Sequence, residues 1–169
     1  MDSTLFTEKK GKSLFGDAEV RRYGGTRIAF SMHKKEQYMN DFHYRKLDAY
    51  NLAKQLVIFT YQLLHKFPDY ERFSLCDQIR RAIVSVPSNI AEGTGRFSLK
   101  ERIRFIDIAY GSLCEAMCQM EIASDLGYIE KEDFLQFESI ASRVSMTIVG
   151  LKKNYELKNN NSTNPQANE

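Results

Sequence analysis

Histidine and cysteine are scarce in this chain of 169 residues, three of each, and their spacing excludes most of the chemistry they usually carry. Nucleophilic catalysis needs a Ser or Cys beside a His that is oriented by a carboxylate. His33 falls in an N-terminal arm, and His43 and His65 lie near opposite ends of the first helical stretch or its approach, so no such cluster is evident. A zinc site or disulfide framework calls for tighter cysteine pairing with histidine nearby. Cys76 stands alone, and Cys114 and Cys118, four apart in an apolar helical pattern, read as reduced core thiols. The Glu-x-x-His pattern of di-metal bundles is missing too. The expectation is therefore a non-enzymatic protein with no catalytic residues, no metal, no cofactor and no small-molecule substrate.

Long apolar runs are also absent. No stretch approaches the roughly 18 residues of a membrane span, and the first 20 residues hold no apolar signal core of about 7–15 residues. No membrane association is expected, and a cytoplasmic location follows by default. The triplet Gly11-Lys12-Ser13 has the end of a phosphate-binding loop, but Phe6 stands where its first glycine belongs and no strand precedes it.

What remains is a strong helical pattern. Hydrophobic residues make up 43% of the chain and charged residues 27%, ordinary for a globular protein. The first 39 residues have little periodicity, four glycines and eight Lys/Arg against five Asp/Glu, and read as a basic, flexible arm. The bundle domain is placed at residues 40–156 and a disordered polar tail at 157–169. The first helix, Arg45 to Phe67, carries Ala49, Leu52, Ala53, Leu56, Phe59, Leu63 and Leu64 at three-and-four spacing. A second row through Leu47, Tyr50, Val57, Ile58 and Tyr61 widens its apolar arc enough to pack on two sides. Pro68 stops it.

The second helix should start between Asp69 and Phe73, bury Ile79, Ile83, Val86 and Ile90, and end at Gly93. Pro87 removes the bond to the Ile83 carbonyl and predicts a kink, with Ser85 and Ser88 placed to satisfy the freed group. Ser98 and Glu101 have the spacing of a capping box at the start of the third helix, which ends at Gly127. The fourth runs from about Lys131 to Tyr155. Four long helices with short connections predict an all-α, antiparallel up-down-up-down four-helix bundle.

Three stretches carry a family resemblance: LDAYNLAKQL, FPDYERFSLCDQIRRAIVSVPSNIAEGTGR and RFIDIAYGSLCEAMCQMEIASDLGYI. Together they resemble the bacterial four-helix-bundle family named for open reading frames in intervening sequences of 23S ribosomal RNA. The likeness spans roughly Phe42 to Tyr155. It implies a four-helix protomer assembling into a barrel-like homopentamer, with no established enzymatic activity. A related branch, the accessory variability proteins of diversity-generating retroelements, assists a reverse transcriptase.

Charge is unevenly distributed. Between Arg72 and Arg104 seven basic residues face three acidic ones, whereas from Phe105 to Glu138 Lys131 alone faces eight. The candidates for a nucleic-acid surface are Arg80, Arg81, Arg96, Lys100, Arg102 and Arg104. The blander reading is a solvated helix face with local ion pairs, and a net charge of only +2 is low for a dedicated binder. Neighbours on a helix point about 100° apart, so one of Arg80 and Arg81 can be structural and the other free. Asp77, Asn89 and Glu92 are candidates for a buried polar network that sets helix register, and Asn89 and Glu92 could equally line a recess. The functional expectation is an oligomeric scaffold or adaptor binding RNA or an RNA-processing partner. The alternatives are a protein assembly module without nucleic acid, or a retroelement accessory protein.

Overall fold

The computed structural model describes residues 18–23, 26–31 and 42–163, and the chain divides into two units, Met1–Phe42 and His43–Glu169. In the first unit β1 (Ala18–Tyr23) and β2 (Thr26–Ser31) pair antiparallel, with Ala18 opposite Ser31 and Tyr23 opposite Thr26. This hairpin lies inside the segment expected to be a basic, flexible arm. Its signal is the Gly24-Gly25 pair between two runs of valine, tyrosine, threonine, isoleucine and phenylalanine, the composition of a two-residue hairpin linker. The other residues of that arm, and with them its expected mobility, lie outside the described residues.

The second unit is the bundle. A 3-10 turn at His43–Lys46 leads into α1 (Asp48–Leu64), followed by α2 (Leu75–Gly95), α3 (Leu99–Asp125) and α4 (Lys131–Thr163). α1 packs on α2 and α4, α2 on α3, and α3 on α4, a closed ring of antiparallel neighbours. The core is built from one stripe of each helix: Ala53, Leu56 and Leu63 from α1, Ile79, Ile83, Val86 and Ile90 from α2, Ile106, Ala109, Leu113 and Met120 from α3, and Phe137, Val144 and Ile148 from α4. Burying each large side chain is worth about 1.5–3 kcal/mol. Two ion pairs tie α4 to its neighbours, Lys66 to Asp133 and Lys152 to Asp107, each at 2.6 Å. No helix among the described residues is long and apolar enough to cross a membrane.

Several local expectations need correction. α2 begins at Leu75, after a separate 3-10 turn at Asp69–Glu71. It runs through Pro87, as expected, and on to Gly95. The Ser88 hydroxyl donates to the Val84 carbonyl at 2.8 Å and the Asn89 amide to the Ser85 carbonyl at 2.8 Å, so side chains bond the carbonyls next to the proline gap rather than that of Ile83. α4 continues to Thr163, through seven residues assigned to the tail, because no Gly or Pro interrupts the chain between Leu151 and Pro165. Of the cysteines only Cys76 is in the core, whereas Cys114 and Cys118 are exposed. The α3 stripe runs through Ala109, Leu113, Ala116 and Met120, and Cys114 and Cys118 fall beside it.

The end of α3 follows the expected cap. Gly127 has φ 73°, its amide donates to Ser124 at 3.0 Å, and the Tyr128 amide donates to Ala123 at 2.9 Å, which is the Schellman pattern. The tightest surroundings of a described glycine are at Gly93, where an added Cβ would meet the Phe105 Cβ at 3.0 Å and the Arg102 carbonyl at 3.4 Å. Gly93→Ala is therefore expected to destabilise the protein by about 1–3 kcal/mol through overpacking. Gly111→Ala, which meets nothing within 4 Å, should stabilise α3 by about 0.5–1 kcal/mol. Urea unfolding of both variants checks the opposite signs.

Candidate nucleic-acid interface

Because Gly93 lets α3 come close to α2, the connection between them needs only residues 96–98. The Arg96 amide donates to the Gly93 carbonyl at 3.1 Å, and the Arg102 Nε donates to the Arg96 carbonyl at 2.7 Å. The Arg96 guanidinium pairs with Glu92 and sits 4.6 Å from the Phe105 ring centroid. The Arg102 guanidinium lies 5.8 Å from the Tyr155 ring. With Arg96 and Ser98 held by backbone bonds, Phe97 between them is driven outward and is fully exposed. Sequence reasoning passed over Phe97, whose only signal is an aromatic placed among arginines at a helix junction.

Arg104 reaches Glu101 only at 3.8 Å and keeps 71% of its side-chain surface. Lys100 is exposed and has no ion pair among the described residues. Ser98 occupies the N-cap position of α3 in extended geometry, and its carbonyl accepts from the Arg102 amide at 3.0 Å. Its hydroxyl makes no capping bond, and Glu101 turns to Arg104. The expected capping box is thus a cap position without the box.

Arg80 and Arg81 do not join this group. They precede Arg96 by sixteen and fifteen residues, about 24 and 22 Å along α2 at 1.5 Å per residue. Arg80 donates to Asp77 at 2.7 Å and to the Arg72 carbonyl at 3.2 Å, the structural partner of the pair. Arg81 is exposed with no ion pair among the described residues. The expected polar network is half-buried and also differs in membership. Asn89 donates to the Ser85 hydroxyl at 2.9 Å, Ser85 meets Ser112 of α3 at 2.9 Å, and Ser112 donates to the Ile108 carbonyl at 2.9 Å. Asp77 and Glu92 stay outside it, each at the surface with an arginine.

The region from just before α1 to the last third of α4 decides the family. Residues 45–150 match the model of the family described as 23S rRNA-intervening sequence protein. The chain belongs to that family. A crystal structure from Bacteroides thetaiotaomicron, of a protein of unknown function from the S23 ribosomal protein family, is similar in fold. It has a TM-score of 0.58 and 18% identity over 62% of this chain and 98% of that one. No curated protein matches.

At the opposite end of this intervening-sequence protein family bundle, a carboxylate that sequence reasoning missed joins two connections. Glu71 accepts from the Ser74 hydroxyl at 2.6 Å and the Leu75 amide at 3.2 Å, so it caps α2 from four residues upstream. Its other oxygen accepts from the Tyr128 hydroxyl at 3.2 Å, beyond α3, and Tyr70 donates to that same hydroxyl at 3.4 Å. The Ser74 hydroxyl, then the Leu75 amide, hold the Glu71 carboxyl below its ordinary 4.5. A depressed carboxylate adds stability above its unfolded value and loses it as pH falls through the folded one. Glu71→Gln should therefore lower the melting temperature at neutral pH, and the gap to wild type should narrow below pH 4.5. Thermal melts across that range check the sign.

Proposed function

We propose that this protein is a non-enzymatic adaptor that binds single-stranded RNA at the α2–α3 junction. The observation that carries this reading is Phe97, fully exposed in a chain segment that also holds Arg96, Lys100, Arg102 and Arg104. An unpaired base stacks on such a ring, while cations beside it hold the phosphates. The four cations are not equivalent. Arg96 and Arg102 are engaged with protein groups and shape the platform. Lys100, and Arg104 across its long contact to Glu101, give up little on meeting a phosphate.

The family name concerns ribosomal RNA, which makes a single-stranded ribosomal RNA fragment the natural probe. Fluorescence anisotropy against salt should show binding whose log–log slope falls by about 0.7 for Lys100→Ala and again for Arg104→Ala. Phe97→Ala should cost about 1–3 kcal/mol with the slope unchanged. No binding of wild type at low salt overturns the reading.

A second reading, a protein assembly module, has its own support. Ile58 and Tyr61 on α1, and Leu135, Met146 and Val149 on α4, are exposed apolar residues of the bundle. They favour self-association, and the resemblance makes a homopentamer the expected form. Light scattering on the full chain should return about five protomer masses under that resemblance, and a clean monomer overturns it.

A further inference from the structure

Cys114, Met117 and Cys118 stand at i, i+3 and i+4 on α3. Residues at that spacing are neighbours on one helix face, with Cβ atoms about 5–6 Å apart. Both thiols are exposed, while Met117 is half-buried at the edge of the core stripe and packs against it. The two thiols do not close on each other. A disulfide needs Cβ atoms roughly 3.5–4.5 Å apart, and α3 is continuous through this stretch. The protein therefore carries two exposed thiols one turn apart on a rigid element, with Met117 beside them at the edge of the core.

We infer that this trio is a binding site for a soft monovalent metal ion of the copper(I) class. Thiolate and thioether donors select such ions, and a two- or three-sulfur set satisfies them. Zinc asks for four ligands, and the neighbourhood does not supply them. Glu115 is engaged by the Gln119 amide at 3.1 Å. His43 and His65 belong to α1 and its approach, and α1 packs on α2 and α4. Among the described residues no three His, Cys, Asp or Glu gather as a metal set; the third donor here is a methionine. On binding, each S–H loses its proton to solvent, two sulfur–copper bonds form, and Met117 adds a lone pair. Copper enters and stays as copper(I), so no electron is transferred.

The full chain, titrated anaerobically with copper(I) against the chromophoric chelator bicinchoninate, should take one ion per chain and gain an ultraviolet thiolate-to-copper band. Cys114→Ser and Cys118→Ser should each lose the band and at least tenfold in affinity. Met117→Leu should keep the band and lose affinity, a readout that a merely structural methionine would not move. Circular dichroism of these surface variants confirms that α3 is intact. Copper left wholly with the chelator overturns the site. So does wild-type binding by a Cys114→Ser/Cys118→Ser double variant, or one ion shared by two chains.

Discussion

The α2–α3 junction depends on how closely two backbones can approach at Gly93. With a hydrogen in place of a side chain at Gly93, the Phe105 Cβ sits 3.0 Å and the Arg102 carbonyl 3.4 Å from where a Cβ would stand, so any larger residue would make its neighbours give way. From that approach follow the three-residue connection, the Arg102 bond back to the Arg96 carbonyl, and the placement of the Arg96 guanidinium on the Phe105 ring. Farther along the same seam Ser85 and Ser112 meet at 2.9 Å.

The helices were readable because each buries a single stripe at three-and-four spacing, and Ile79, Ile83, Val86 and Ile90 are inside as their spacing requires. The Gly127 cap was readable because left-handed backbone favours glycine. What was not readable depended on partners far away in the chain. The start of α2 rests on Glu71, whose second oxygen is held by Tyr128, 57 residues later. The partner that draws Asn89 and Ser85 into a network is Ser112, on another helix. Cysteine is most often buried, so a pair four apart in an apolar pattern read as core, although the stripe itself passes beside them. The Ser98 and Glu101 spacing was real, but Arg104 offered the carboxylate a competing contact.

The candidate surface was half legible. Counting charges located the basic segment but assigned it one patch, whereas about four turns of α2 separate Arg80 and Arg81 from the rest. Counting also treats every arginine alike. Arg80 and Arg96 each face a carboxylate three or four residues away, exposed pairs of small energetic value that nevertheless occupy the guanidinium, whereas Arg104 reaches Glu101 only at 3.8 Å. The distinction that matters for a phosphate, between an engaged cation and an idle one, is a property of rotamers and not of composition.

The two lysine–aspartate contacts on α4 have a consequence beyond their modest strength. Asp133 lies in the first turn and Lys152 nineteen residues on, so the fastenings sit about 28 Å apart along one rod. They act as the two marks of a vernier. Sliding α4 by one turn, about 5.4 Å, leaves a greasy stripe that still finds greasy neighbours, yet it pulls both marks out of coincidence together. The pairs thereby second an alignment of the longest described helix that the close-packed core already sets.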